Sequence, residues 1–197
     1  MTSRVGSRRQ HAAGIPDPGY DRPRPHETIG DQDAMPTIRT ATLTHDKGMS
    51  FAATTGTGRA FRWGDHADVP EMSPMETVTV ALAACSAMDV ISIAAKKRQE
   101  ISTYVVHVRG EQRSEYPQVL TRADVTHEVE GPRVDEAAIR RAIELSATKY
   151  CPVNAMLSAG ATEVHHRYVI RSTGAKAFEA TGEVIVTGPY RRPDLVA

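Results

Sequence analysis

Met75 to Ala95 is the longest apolar-rich run in the chain, set in a segment with a marked beginning at Ser73 and an end near Gln99, and this segment constrains the fold more than any other. Ser73 suits an N-cap, Pro74 suits the first helical position, and Glu76 completes an S-x-x-E capping box. Lys96, Lys97 and Arg98 place cations at the far end, where they complement the helix dipole. In between, Val78, Val80, Leu82, Cys85, Met88, Val90, Ile91 and Ile93 surround the axis with few polar breaks. A helix without a polar stripe is expected to be buried on most sides. It is therefore predicted as a central helix, wrapped by sheet or pressed against a second subunit. Glu76, Asp89 and four Ser/Thr residues between Met75 and Ala95 are expected to make this run too polar for a bilayer span.

The flanking segments alternate in the manner of strands. Ile38 to Thr44, Met49 to Thr54 and Arg59 to Trp63 read as three strands, with Asp46-Lys47-Gly48 and Gly56-Thr57-Gly58 as turns. Residues 64–72 read as a loop. Residues 102–109 and 118–130 read as a hairpin, with Tyr104, Val106 and Val108 on one face and Val119, Ala123, Val125 and Val129 on the other strand's inner face. A second helix opens at Val134 or Asp135 and ends near Tyr150. Cys151-Pro152 begins a short third helix over Val153 to Ser158, stopped by Gly160. Thr162 to Arg171 is a further strand with Val164, Tyr168 and Ile170 inward, and Glu183 to Thr187 is a candidate last one. Strands, helix, hairpin, helices, strand is an α+β order rather than a βαβ alternation.

Residues 1–35 are rich in Arg, Pro, Gly, Asp and His and poor in apolar side chains, so they are expected to form a disordered tail. The expected domain covers 36–171, followed by an extension over 172–197. No apolar export segment is visible at the start, so a reducing cytoplasm is the expected location. Lysine plus arginine total 24 and aspartate plus glutamate 24, which leaves no basic field for nucleic acid or an acidic membrane. Aromatics at 5% leave little for stacking on bases. Eight histidines include the adjacent His165 and His166, but neighbours on a strand point to opposite faces, and no C-x-x-C or H-x-x-x-H spacing occurs. No metal site and no cofactor are expected. Trp63 is expected to be a packing anchor.

The chain holds two cysteines, Cys85 and Cys151. In a reducing compartment such a pair is either inert core or working thiol. Cys151, at the start of a helix, is expected to gain thiolate character from the dipole. Asp89 lies one turn beyond Cys85 on the same face, so a polar partner is expected opposite it.

Ser73-Pro74-Met75-Glu76 through Ala83-Ala84-Cys85-Ser86-Ala87-Met88-Asp89-Val90, followed by Lys149-Tyr150-Cys151-Pro152-Val153-Asn154-Ala155-Met156-Leu157, resembles the OsmC/Ohr family over residues 36–171. These are the osmotically inducible protein C and organic hydroperoxide resistance proteins. The resemblance implies an OsmC-like fold with antiparallel sheets around a buried helix, in an intertwined homodimer with two sites at the subunit interface. It implies a thiol peroxidase in which Cys85 attacks an organic hydroperoxide and Cys151 resolves the product as a disulfide. A dithiol donor, a lipoyl protein or a thioredoxin-type protein, would restore the thiols. It also implies an activating arginine, for which Arg59 is favoured over Arg62, and a supporting glutamate, Glu76. In the well-studied peroxidases that glutamate follows a proline directly, and here Met75 holds that place. The competing expectation is a non-catalytic dimer that binds a small molecule or senses redox state.

Overall fold

The computed structural model describes residues 37–64 and 72–188. The chain divides into two units, Met1–Arg39 and Thr40–Ala197, and every element named below belongs to the second. The expected tail over 1–35, most of the loop over 64–72 and the polar chain end lie outside the described residues.

The fold is α+β. A three-stranded antiparallel sheet is built from β1 (Ala41–Lys47), β2 (Ser50–Thr55) and β3 (Ala60–Trp63), in that order. Next comes helix α1 (Pro74–Lys96). The main sheet has the order β4-β5-β6-β7, from β4 (Thr103–Gln112), β5 (Leu120–Gly131), β6 (Glu163–Ser172) and β7 (Phe178–Thr187). β4 and β5 form the expected hairpin, and β6 and β7 are also antiparallel, but β5 and β6 run parallel. A parallel pair needs a crossover. That crossover holds α2 (Glu136–Leu145), one π-helical turn (Ser146–Tyr150) and α3 (Pro152–Ser158).

The local signals act as physical chemistry requires. Glu76 N–H donates to Ser73 Oγ at 3.2 Å, and Ser73 N–H donates to Glu76 Oε2 at 2.7 Å, so the capping box of α1 is complete. Arg98, with φ of 57°, turns the chain out of the helix, which ends at Lys96, three residues before the expected Gln99. Asp135 caps α2 by accepting from Ala138 N–H at 2.8 Å. Gly131 lies against the backbone of Glu100, where a Cβ would stand 2.0 Å from the carbonyl oxygen.

The inner face of the main sheet follows the strand period. On β5 it carries Ala123, Val125, His127 and Val129; on β6 it carries Val164, His166, Tyr168 and Ile170. Val119, expected on this face, precedes β5 and is exposed. Against the sheet, α1 lays down a single stripe at four-residue spacing, Leu82, Ser86, Val90 and Ala94. The expectation of a helix buried on most sides is corrected for the single chain. Val80 is 56% exposed, Met88 74% and Ile91 42%, because the described elements pack against the opposite side of the helix. By length and composition α1 would also suffice to cross a bilayer, so its two acidic residues do not exclude it from that class as the sequence reading held. Every residue of β1 is exposed too, and in the small sheet only Ser50 and Ala53 of β2 are buried.

Candidate active site

The two cysteines reach each other by different routes. Cys85 sits at the middle of α1, half-buried, on the side that turns toward the crossover. Cys151 is brought there by the π-helical turn. Ser146 to Tyr150 widen the helix by one residue per turn, and Cys151 N–H then donates to Ser146 O at 2.9 Å. Pro152 cannot continue that ladder and starts α3 instead. Cys151 is thus the N-cap of α3, as expected, and its sulfur accepts from Asn154 N–H at 3.3 Å.

The result is a cluster in which Cys85 Sγ, Cys151 Sγ and a carboxylate oxygen of Asp89 all lie within 4.8 Å of one another. The polar partner expected opposite Asp89 is Ser146. Its Oγ lies 3.0 Å from Asp89 Oδ2 and 3.3 Å from the Oγ of the buried Ser86. Leu82, Ala123, Val125 and Val164 wall the cluster from below, with Cys151 itself part of that core. Two sulfurs and one carboxylate oxygen at this spacing are also a donor set that a single thiophilic cation could share.

The electrostatics of Cys151 reverse the sequence expectation. Burial pushes its thiol up to about 12, and the neighbouring Cys85 and the Asp89 charge push in the same direction. The Asn154 N–H works the other way but is outweighed. A two-turn helix offers a weak dipole, and 3% exposure removes the water that would solvate a thiolate. Position in the sequence revealed the cap; it could not reveal the depth.

Arg59 and Glu76 lie elsewhere within the chain. Arg59 is exposed in the turn before β3, with its backbone N–H bonded to Thr55 Oγ1 at 3.1 Å. Arg62 pairs with Asp46 at 2.8 Å. Glu76 is exposed, and its hydrogen bonds with Ser73 hold its carboxyl below the usual carboxylate range. Trp63 joins the small sheet to α1 by donating from Nε1 to Thr77 Oγ1.

An apolar cleft of about 360 Å³ opens two turns of α1 before Cys85, lined in part by Met75, Val78, Leu120, Met156 and Leu157.

Sequence reasoning missed two buried histidines beside this site. His127 and His166 are both fully buried, with ring nitrogens 3.4 Å apart. Burial lowers His127 to about 4 and His166 to about 3. The signal was present in the strand period, since each falls in register with the apolar residues on its strand. His165, on the opposite face, bonds instead to Glu163 and Glu183.

Comparison with known proteins agrees with this architecture. Residues 64–167 match the model of the OsmC-like protein family. Protein YhfA of Escherichia coli K12 is 35% identical over 124 residues, covering 63% of this chain and 92% of YhfA. A hypothetical protein from Aquifex aeolicus superposes with a TM-score of 0.61 at 26% identity, covering 69% of this chain and 98% of its own. An organic hydroperoxide resistance protein from Elizabethkingia anophelis shares the fold, with a TM-score of 0.51 at 14% identity, covering 72% and 100%. With its two sheets, its long helix and its facing cysteines, the chain belongs to the OsmC-like protein family.

Proposed function

We propose that the protein is a thiol-dependent hydroperoxide reductase acting on organic hydroperoxides in a reducing cytoplasm. The observation that carries this reading is the approach of Cys85 Sγ and Cys151 Sγ to within 4.8 Å across some 66 residues of chain. Two thiols at this separation can close to a disulfide with a modest local adjustment.

In this cycle the Cys85 thiolate attacks the terminal peroxide oxygen. The O–O bond breaks, the alkoxide leaves and takes up a proton as alcohol, and Cys85 becomes a sulfenic acid. Cys151 then attacks that sulfur. Because its thiol is held up to about 12, it needs a proton acceptor at hand. Asp89 is close to both sulfurs and fills that role, taking the thiol proton and returning it to the departing hydroxide as water. A dithiol donor, lipoyl or thioredoxin-type, reduces the resulting disulfide by exchange. The apolar cleft over Met75, Val78 and Met156 favours a bulky alkyl group on the substrate.

The working form in this reading is a homodimer. Val80, Met88 and Ile91 on α1 and the uncovered sheet β1–β3 are the surfaces that a second copy would bury. The same packing would carry Arg59 of one subunit toward Cys85 of the other, where a guanidinium lowers a thiol pKa and holds peroxide oxygens. Glu76 would support it from the start of α1.

One equivalent of cumene hydroperoxide, followed by rapid quenching and mass spectrometry, tests the reading. A Cys85–Cys151 disulfide should appear within seconds, Cys85→Ser should give none, and Cys151→Ser should stop at a Cys85 sulfenic acid. Slow, indiscriminate oxidation of both thiols would instead favour a dimer that binds a small molecule without turning it over.

A further inference from the structure

A continuous hydrogen-bonded chain, buried from His127 onward, runs from β4 to the sulfur of Cys151. Tyr104 Oη lies 2.7 Å from His127 Nδ1, His127 Nε2 lies 3.4 Å from His166 Nδ1, and His166 Nε2 lies 3.1 Å from Asn154 Oδ1. The three rings stack, with centroids 6.1 Å and 5.8 Å apart. Asn154 N–H, in turn, meets Cys151 Sγ at 3.3 Å.

The direction of every bond follows from one end. Asn154 Nδ2 donates to Ala147 O at 2.7 Å, which turns Oδ1 toward His166 and makes it an acceptor. His166 Nε2 must therefore carry the proton. The ring is neutral at this depth, so its Nδ1 is bare and accepts from His127 Nε2–H. His127 is neutral for the same reason, so its Nδ1 accepts from the Tyr104 hydroxyl. Burial and the nearby Asp89 charge keep that phenol protonated. All donors point from Tyr104 toward Asn154, and all four ring nitrogens are paired.

A primary amide ends the series, and an amide does not pass a proton on. The chain is therefore a brace rather than a relay. Its load is α3, a helix of seven residues that is too short to hold itself and that follows a π-helical turn and a proline. Asn154 is tied further by Thr187 at 3.1 Å. What fixes Asn154 also fixes its N–H, the group at Cys151 that favours sulfur as an acceptor while burial, Cys85 and Asp89 all oppose thiolate.

We infer that Tyr104, His127, His166 and Asn154 are positioning residues that aim Cys151 at Cys85, setting the disulfide-forming half of the cycle without touching the peroxide step. This rests on the thiol cycle proposed above for its first readout, and on the cysteine pair alone for its second.

The test compares His166→Leu, His166→Gln and Tyr104→Phe in the full chain. The glutamine retains an N–H that can donate to Asn154 Oδ1. After one equivalent of cumene hydroperoxide, Cys85 sulfenic acid, trapped with dimedone, should form within twofold of the parent rate in all three. Disulfide formation should slow at least tenfold in His166→Leu and about threefold in Tyr104→Phe, with His166→Gln restoring most of the rate. Independently of peroxide, equilibrium with oxidised and reduced dithiothreitol should show the Cys85–Cys151 disulfide at least fivefold less favoured in His166→Leu. Equal slowing of both steps, an unchanged disulfide equilibrium, or a glutamine no better than leucine would overturn the brace. Should His166→Leu not fold, the same comparison between Tyr104→Phe and His166→Gln decides it. A parent protein that ignores peroxide yet shows the dithiothreitol shift would remove the peroxidase reading and leave the brace standing.

Discussion

Acid should weaken this fold well before its carboxylates titrate, because two imidazoles are sealed in neutral form. His127 and His166 are held at about 4 and about 3, against a usual value of 6.5. Between pH 6.5 and those values the unfolded chain binds a proton on each ring that the folded chain refuses. The unfolded state then carries more protons, so stability rises with pH across that window and is fully present above 6.5. At pH 5 both folded pKa values are still at least a unit below the solution pH. The loss is then set almost wholly by the unfolded pKa, and comes to about 2 kcal/mol per ring, or about 4 kcal/mol together. That is a large share of the roughly 5–15 kcal/mol that holds a domain together. Asp46, Asp124 and Glu183, which hydrogen bonds with Arg62, Arg122 and His165 respectively hold below the usual carboxylate range, add their own loss only below about pH 4.5. The interval from pH 7.5 to 5 therefore isolates the histidines. Urea unfolding at fixed protein concentration should show the drop, and nitrogen-15 spectra should show both rings as neutral Nε2–H tautomers down to pH 5. A free energy flat to within about 1 kcal/mol over that interval, or a folded-state ring titrating near 6.5, would refute the reasoning.

Three further outcomes are expected. Ser73→Ala removes one half of the capping box of α1 and leaves Glu76 holding the other alone; a loss of about 1 kcal/mol, or about 2–4 °C in melting temperature, should follow in calorimetry. Gly131→Ala drives a methyl group into the Glu100 carbonyl 2.0 Å away and should cost about 3 kcal/mol in urea unfolding, the upper end for overpacking. Ile91→Asp places a charge on the exposed apolar side of α1 and should convert the proposed homodimer to monomer in light scattering, with far-ultraviolet dichroism unchanged.

The parts of the fold that were legible in the sequence are those governed by local chemistry. Ser73, Pro74 and Glu76 start α1 where the capping rules place it, and Asp135 does the same for α2. The inward sets on β5 and β6 followed from alternation. What stayed hidden depends on residues far apart in sequence. Parallel pairing of β5 with β6 leaves no mark in either strand. The raised Cys151 thiol needs three elements to close over it, and cap position alone argued the opposite. His127 and His166 counted as polar when the strands were scanned, although their places in the period were apolar ones. The partial exposure of α1 has the converse origin, since a pattern that asks for burial all round does not say which chain supplies it.

The π-helical turn over Ser146–Tyr150 gives this region an unusual kind of sensitivity. It holds one more residue than an α-turn would, and each helical residue advances the direction of its side chain by about 100°. Removing Thr148 or Lys149, whose side chains lie outside the cysteine cluster, would let the turn close to α-helical winding and would take away the five-residue reach from Cys151 N–H back to Ser146 O, while leaving Ser146 beside Asp89 and Ser86. Along this stretch the meeting of the two thiols depends on the count of residues as well as on the identity of Ser146.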